Sequence, residues 1–363
     1  MKNTFGSSVA VTLFGESHGE AIGAVIDGLA AGIPINENFI RSQLDKRRPQ
    51  GTISTARRES DPFQIVSGVF QGVTTGTPLC ILIPNENTKS HDYESLRNTP
   101  LPSHADWTAQ CKYHGYQDYR GGGHFSGRIT AALVAAGAIV IDALRNKGIL
   151  IGTHIQQLAN IQDRPFCEYK EDILQLNDTV FAVLDETAAE KMKAAAEAAA
   201  AEGDSVGGVL ETAVLGVPAG VGEPWFDTME SVLAHGLFAI PAVKGVEFGM
   251  GFDICHHKGS EVNDTFYSDG STILTKTNNN GGINGGITNG MPIIFRCAIK
   301  PTPSIYKEQD SVNILTKENT KLTIQGRHNP AIIHRARVVA DSVTAFVLAD
   351  MLALRYGTDW LRG

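Results

Sequence analysis

Five arginines and a lysine lie close together in the first part of this sequence. They are Arg41, Lys46, Arg47, Arg48, Arg57 and Arg58. They occupy the end of a predicted helix and the segment after it, where cations also stabilise the helix dipole, so a solvated structural role stays open. A planar guanidinium, however, binds phosphate or carboxylate in a bidentate way. The cluster therefore points to an oxyanion as the substrate.

A glycine-rich stretch precedes the most apolar predicted helix. It reads Tyr119-Arg120-Gly121-Gly122-Gly123-His124-Phe125-Ser126-Gly127-Arg128. Backbone N–H groups without partners at a helix start, together with the helix dipole, favour an anion. The stretch is neither a Walker A nor a G-x-G-x-x-G motif. It predicts a place for a phosphate, with a plain turn as the alternative.

Two histidines and one carboxylate are candidates for proton transfer. His18 lies in the turn Gly15–Gly19 and His104 in the segment Pro102–Asp106. An imidazole titrates near neutral pH, which suits a proton donor. Asp350 falls on the apolar face of a predicted helix. A carboxylate buried there either has a raised pKa, as a general base does, or pairs with an arginine.

Hydrophobic periodicity predicts the elements that position these groups. Alternation favours strands at Val9–Phe14 and Ala21–Ile26 on either side of the His18 turn, and Asn36 is the predicted N-cap of a helix that ends at Arg47, before Pro49. Further strands are predicted at 66–70, 79–83, 206–217, 245–253 and 292–300. A second helix is predicted to begin just after the triplet Gly121–Gly123 and to run through Ile129–Leu144, and further helices are predicted at 187–202 and 341–355. The pattern alone supports a mixed α+β class.

A short echo hints at an internal duplication. Gly68-Val69-x-x-Gly72-Val73 recurs as Gly216-Val217-x-x-Gly220-Val221. No low-complexity linker divides the sequence, so we expect one domain over residues 1–363.

Composition restricts the class of protein. The net charge of -8 argues against a nucleic-acid binder. The five cysteines are scattered without a C-x-x-C, which fits a reducing cytoplasm, and no histidine or cysteine spacing matches a metal site. The N-terminus lacks a secretory pattern, and the longest uncharged apolar run, Ile129–Ile141, is shorter than the ~18 residues of a membrane span. We expect a soluble cytoplasmic protein without a metal.

Six stretches, taken in order, resemble the signature stretches of the chorismate synthase family. They are Phe14–Gly19, Arg47–Pro49, Ser103–Asp106, Asp118–Gly123, Val243–Glu247 and Gly326–Pro330. Each is weak alone, but together they span nearly the whole chain in a consistent order.

The resemblance implies a reaction and a cofactor. The substrate would be 5-enolpyruvylshikimate 3-phosphate, converted to chorismate and phosphate by an anti 1,4-elimination with reduced FMN, the last step of the shikimate pathway toward aromatic amino acids. An external flavin reductant is implied, because the chain has no added domain and no G-x-G-x-x-G. The resemblance also implies a homotetramer and a β-α-β sandwich of two pseudo-symmetric halves, with antiparallel sheets and helices between them.

The resemblance also assigns residues. His18 would protonate the departing phosphate, His104 would protonate or steady the reduced flavin, and Asp350 would assist proton removal at flavin N5. The substrate anions would be bound by Arg47, Arg48, Arg57, Arg120, Arg128 and Arg335. The flavin contacts would come from His124, Phe125, Ser126, Pro241, Ala242, Gly285, Lys300, Pro301, Thr302, Pro303, Ser304 and Arg327.

Some positions depart from the commoner family pattern. His124-Phe125-Ser126-Gly127 stands where many members have Arg-Ser-Ser-Ala, and Pro241-Ala242 where many have Asn-Ala. Side-chain and backbone contacts at His124 and Pro241 therefore both stay open. The loop after Pro49 lacks an arginine that is common there.

Two rival functions remain. Gly15-Glu16-Ser17-His18-Gly19 satisfies G-x-S-x-G, the nucleophile motif of serine hydrolases, but that motif needs a helix after the turn and a strand is predicted instead. The departures at His124 and Pro241 leave room for a binding module that has lost activity.

Overall fold

Two antiparallel sheets form the outer layers of the molecule. The computed structural model describes residues 3–48, 60–86, 97–324 and 329–362. In spatial order, the strands of the first sheet are β1 (Thr4–Phe5), β2 (Ala10–Gly15), β3 (Ala21–Asp27), β7 (Leu79–Pro84) and β4 (Gln64–Ser67). Those of the second are β11 (Val243–Phe248), β16 (Ile293–Ile299), β10 (Gly208–Leu215), β8 (Leu150–Leu158) and β9 (Ile161–Gln162).

Short hairpins complete the strands. They are β5 (Val69–Phe70) with β6 (Val73–Thr74), β12 (Phe266–Ser268) with β13 (Ile273–Thr275), β14 (Ile283–Asn284) with β15 (Ile287–Thr288), and β17 (Gln309–Val312) with β18 (Asn319–Leu322). The α-helices are α1 (Glu37–Arg47), α2 (Asp106–Tyr113), α3 (Thr130–Asn146), α4 (Tyr169–Asp178), α5 (Glu186–Ala201), α6 (Met229–Phe238), α7 (Gly259–Val262) and α8 (Ile333–Tyr356).

Helices α3 and α8 pack against each other between the sheets. Helix α3 contacts β3 and β7 on one side and β8 on the other, and α8 contacts β2, β8 and β10. The two helices approach closely at Gly137, where an added Cβ would lie 2.4 Å from the Ser342 Cβ. Both helices are buried on nearly every face because protein surrounds them.

The helical segment Gly127–Asn146 is longer than the uncharged apolar run Ile129–Ile141 of the sequence. It is helical over 20 residues and apolar enough to cross a membrane by length and composition. However, 83% of that window is buried inside the protein. The segment is therefore the core helix of the sandwich, which agrees with a soluble protein.

The two halves repeat the same topology. The order β2-β3-β7-β4 in the first sheet matches β8-β10-β16-β11 in the second. A threonine precedes β7 in the first sheet and another precedes β16 in the second, and both accept the same pair of hydrogen bonds. The N–H groups of Gly32-Ile33 donate to Thr74 O (2.8 Å) and Thr74 Oγ1 (2.9 Å), and those of Gly220-Val221 donate to Thr288 O (2.8 Å) and Thr288 Oγ1 (3.0 Å). The predicted sandwich of two pseudo-symmetric halves is confirmed.

The echo in the sequence paired the wrong segments. Gly216–Val221 follows β10 and corresponds to Gly28–Ile33 after β3, and not to Gly68–Val73, which forms most of the β5–β6 hairpin. Both glycines of each segment have positive φ, so the Gly-x-x-x-Gly spacing serves any tight turn and does not identify the repeat.

Candidate active site

A large cavity lies against α3 and α8 and is lined by residues from both halves. Its volume is about 1190 Å³, which exceeds the ~300–1,000 Å³ of a typical small-molecule pocket. The predicted site residues that line it are His18, Arg47, His104, His124, Phe125, Ser126, Arg128, Pro241, Ala242, Lys300, Thr302, Pro303, Ser304 and Arg335. The cavity therefore has room for more than one small molecule.

Other predicted residues are not brought to the cavity wall. Arg48, Arg120, Gly285, Pro301 and Asp350 are described but do not line it. Arg57 and Arg327 lie outside the described residues.

The glycine triplet lies between the two histidines. Gly121, Gly122 and Gly123 all have positive φ, and a Cβ on Gly121 would lie 2.6 Å from the His18 ring. A Cβ on Gly122 would lie 3.2 Å from the His104 ring. The triplet belongs to the 3₁₀ segment Arg120–Phe125, and α3 begins only at Thr130. Its glycines thus let the backbone pass close to both imidazoles, and they do not open α3 as the sequence predicted.

His18 is half-buried in the tight turn between β2 and β3. The Asn85 side chain donates to the carbonyls of Glu16 (3.0 Å) and Gly19 (2.9 Å) and so closes the turn. The neighbouring Ser17 is 2% exposed, and its N–H donates to Gly123 O (3.0 Å). A strand and not a helix follows, so the nucleophile elbow of a serine hydrolase is not formed.

His104 is held by a carboxylate. Its Nδ1 lies 2.5 Å from Asp106 Oδ1. The preceding residue, Ser103, has a φ of 60°, and its carbonyl accepts a hydrogen bond of 2.5 Å from the Lys300 Nζ. A lysine from the second half thus fixes the loop that carries a histidine of the first.

A buried carboxylate organises the arginine cluster. Asp61, whose side chain is fully buried, lies 3.7 Å from Arg47 Nη1, 3.9 Å from Arg48 Nε, and in contact with Arg128 Nη1. Three guanidinium groups around one carboxylate leave an excess of positive charge. Arg335 joins this group because its Nε donates to Arg47 O (2.7 Å). Asp61 could not be predicted as a site residue, since nothing in the local sequence pattern separates it from an exposed turn residue.

Two predicted substrate arginines have other partners. Arg120 makes a bidentate pair with Asp118, at 2.8 and 2.9 Å, which raises the pKa of the Arg120 guanidinium. Arg48 contacts Asp45 as well as Asp61. Neither side chain lines the cavity.

The second half contributes cations and a strained backbone. Lys244 and Lys300 line the cavity beside Ala242, which has a φ of 78°. Burial, and then the charge of Lys244, lowers the pKa of the Lys300 ammonium. Apolar side chains of α8, such as Val339, Val343 and Phe346, form the adjoining wall. This part of the cavity therefore offers an apolar surface with cations at its edge.

Backbone N–H groups of the N-terminal segment surround the Asp350 carboxylate. Its carboxylate accepts hydrogen bonds from the backbone N–H groups of Ser7 (2.9 Å), Ser8 (2.6 Å) and Val9 (2.9 Å). It does not line the cavity, and among the described residues no arginine pairs with it. The helical pattern correctly predicted its burial, but no pattern could reveal that the N-terminal backbone supplies its partners.

Comparisons with known proteins agree on one family. A family model described as chorismate synthase matches residues 9–353. The chorismate synthase of Pyrococcus abyssi (strain GE5 / Orsay) is 45% identical over 350 residues, which cover 96% of this chain and 97% of that protein. That of Methanobrevibacter smithii is 48% identical over 354 residues, 96% of each.

The comparison with solved structures agrees with the sequence comparisons. A crystal structure of chorismate synthase matches with a TM-score of 0.76 and 29% identity, covering 97% of this chain and 93% of that one. The chain therefore belongs to the chorismate synthase family, whose members are lyases of aromatic amino-acid biosynthesis.

Proposed function

We propose that this protein converts 5-enolpyruvylshikimate 3-phosphate to chorismate and phosphate by an anti 1,4-elimination, with reduced FMN as cofactor. The observation that carries the proposal is the pair of histidines held on either side of the glycine triplet in a cavity lined by cations from both halves. The substrate carries a phosphate and two carboxylates, so it requires such cations.

The arginine cluster suits the anionic substrate and the leaving phosphate. Buried contacts hold the guanidinium groups of Arg47 and Arg128 rigidly. Asp61 neutralises only part of their positive charge, and both arginines line the partly enclosed cavity. Pre-organised charge in such a space stabilises an anion more strongly than it would in water. We assign phosphate and carboxylate binding to Arg47, Arg128 and Arg335, together with Arg48 and Arg57 of the same cationic stretch of sequence.

His18 is the proposed acid for the departing phosphate. Its turn is closed by Asn85 and its ring packs on Gly121, so the imidazole has little freedom. A proton delivered to a leaving phosphate oxygen offsets the charge that develops when the C–O bond breaks.

The cavity also fits a flavin. The isoalloxazine ring is flat and largely apolar, and the α8 wall with Val339 and Val343 offers a surface for it. Lys300 and Lys244 lie at the edge, where a phosphate or the ring oxygens would meet them, and the backbone of Ala242 is exposed to the same space. When bound, reduced FMN would supply an electron transiently to the substrate and recover it, with no net redox change.

The assembly and the cellular setting are part of the proposal. We propose one domain over residues 1–363, a homotetramer, cytoplasmic location and an external flavin reductant. Large apolar side chains on the second half support self-association, since Trp225 is 83%, Phe226 91% and Phe252 79% exposed.

An anaerobic assay tests the function. The protein is mixed with chemically reduced FMN and 5-enolpyruvylshikimate 3-phosphate, and phosphate release is followed against a control with oxidised FMN. We expect release only with the reduced flavin. Binding of FMN and substrate without phosphate release would instead support a binding module.

A further inference from the structure

The Asp106 carboxylate meets one nitrogen of the His104 ring. Nδ1 lies 2.5 Å from Asp106 Oδ1, within hydrogen-bond distance. The opposite part of the ring, Cε1 and Nε2, faces Gly122 at 3.2 and 3.4 Å from where a Cβ would lie. The two ring nitrogens thus have different surroundings, a carboxylate on one side and the glycine triplet with the cavity on the other.

The carboxylate is itself fixed. Asp106 Oδ2 accepts the N–H of Leu101 at 2.9 Å. Asp106 is also the first residue of α2, where the helix dipole favours a negative charge. Each oxygen therefore has one partner, and the side chain is held in a single orientation.

The charge of Asp106 determines which nitrogen of His104 carries a proton. An ionised carboxylate only accepts hydrogen bonds, so Nδ1 must be the donor. In the neutral imidazole Nε2 is then the unprotonated nitrogen. Nε2 is the atom that can take up or release a proton in the cavity.

The backbone beneath His104 is fixed as well. The His104 N–H donates to Leu101 O at 3.1 Å, and Lys300 Nζ donates to the carbonyl of Ser103. These hydrogen bonds hold the loop in place, so a movement of the loop cannot compensate for a change at Asp106. Its orientation depends on the carboxylate contact.

We propose that Asp106 is the positioning residue for His104, and that it fixes the Nδ1–H tautomer so that Nε2 exchanges the proton in the cavity. This inference rests on the proposed function only for the acceptor or donor with which Nε2 exchanges its proton. The exchange is balanced: the imidazolium loses the Nε2 proton to its acceptor and becomes the Nδ1–H imidazole, while Asp106 stays ionised throughout.

The tautomer can be measured without substrate or cofactor. In Asp106→Asn, the amide oxygen can still accept the Leu101 N–H, and the NH₂ group then faces Nδ1, which must accept. We expect the ¹⁵N shifts of the His104 ring, assigned from their loss in His104→Gln, to change from the Nδ1–H to the Nε2–H pattern. Asp253→Asn is the matched control, because Asp253 pairs with exposed His256 at 3.2 Å and should leave the His104 signals unchanged.

Steady-state kinetics provide the second readout. We expect kcat of Asp106→Asn to fall by about 100-fold or more, the usual weight of a well-oriented acid or base, with KM and FMN affinity within about twofold of wild type. Asp106→Glu keeps a carboxylate and should recover the Nδ1–H pattern and part of kcat. Asp253→Asn should match the wild type.

The outcomes separate this inference from the proposed function. An Asp106→Asn protein that keeps the wild-type tautomer, or that keeps the wild-type kcat, would overturn the role of Asp106. So would a loss of kcat that comes with an equal loss of FMN affinity and is not recovered by glutamate. If the wild type shows no turnover at all, the proposed function fails, while the NMR result still decides whether Asp106 sets the tautomer.

Discussion

Asp61 illustrates how one residue can organise a charged site. Its side chain is fully buried among Arg47, Arg48 and Arg128, while the side chains of Arg47 and Arg128 are 3% and 4% exposed. Removing one partner of a buried ion pair leaves the other charges without compensation, which costs more than the pair itself contributes.

We therefore expect Asp61→Asn to lower the free energy of unfolding by about 3 kcal/mol or more, the scale for breaking a buried pair. Urea unfolding measures this. The control is Glu37→Gln, which removes an exposed i,i+4 pair with Arg41 and should change stability by less than about 0.5 kcal/mol. Equal effects of the two substitutions would show that Asp61 does not hold the cluster.

His18 carries the proposed proton transfer to phosphate. We expect His18→Asn to lower kcat by about 100-fold or more, with the fold and FMN affinity retained, because general acid catalysis is worth that much. His256→Asn, at an exposed position remote from the cavity, should have no effect. A His18→Asn enzyme with wild-type kcat would contradict the assignment.

Asp350 shows the limit of residue-level prediction. Its burial followed from the helical pattern, but its three backbone partners lie far away in the sequence. We now expect Asp350→Ala to act through stability, because it leaves three N–H groups without their acceptor. Thermal unfolding should show a lower Tm, and kcat of the folded enzyme should fall less than in His18→Asn; the reverse order would restore a direct catalytic role.

At the scale of elements, the glycine triplet brings the two histidines together. Gly121 has a φ of 59°, and a Cβ there would overlap the His18 ring. We expect Gly121→Ala to lower kcat more than about tenfold, since a displacement of ~1 Å at a reacting group can cost ~100-fold. Gly127→Ala is the matched control, because a Cβ at Gly127 would meet nothing within 4 Å. Similar activities for both variants would mean that the triplet does not position His18.

Local signals predicted the elements around His18 well. Alternation located β2 and β3, and Asn36 caps α1 as expected, accepting the N–H of Phe39 at 3.0 Å. Strand β8 was missed, because Thr153 and His154 interrupt its apolar pattern. Both side chains are fully buried and hydrogen-bonded, Thr153 to Thr212 and His154 to two carboxylates. Polar residues with buried partners cannot be recognised from periodicity alone.

Helix α8 is a similar case. It begins at Ile333, and not at Asp341 as predicted. Arg337 lies in the extra segment and is fully buried, with Nη2 donating to Thr179 O. A buried arginine breaks the apolar stripe from which helices are predicted.

At the scale of the whole molecule, the cavity exists only because the two halves meet. Arg47, Arg128, His18 and His104 come from the first half, Lys244 and Lys300 from the second, and Arg335 from α8 between the sheets. Residue types could suggest an oxyanion site, and the family resemblance suggested a flavin. Which groups share a wall depends on the packing of the halves, and the sequence does not contain that information in any local pattern.

The fold also contains a buried histidine away from the cavity. His154 lies between Asp163 (2.7 Å) and Glu211 (3.0 Å). Burial opposes the charged form, but the hydrogen bonds to the two carboxylates outweigh it and raise the pKa of His154 above 6.5. Because the folded-state pKa is higher than the unfolded one, this stabilisation is fully present below about pH 6.5 and is lost as the pH rises through the folded pKa.

We therefore expect the stability difference between the wild type and His154→Gln to be larger at about pH 6 than at about pH 9. Each unit of pKa shift corresponds to about 1.4 kcal/mol. Urea unfolding at the two pH values gives the comparison. A difference that does not change with pH would mean that folding leaves the pKa of His154 unchanged, and a smaller difference at pH 6 would mean that folding lowers it.

We propose that this cavity performs a redox-neutral elimination of phosphate. The most direct measurement is the product balance of an anaerobic reaction over many turnovers, with chorismate absorbance, phosphate and flavin oxidation state followed together. We predict one chorismate and one phosphate for each substrate consumed, with the flavin still reduced at the end. Oxidation of one flavin per product, or phosphate release without chorismate, would contradict a redox-neutral elimination.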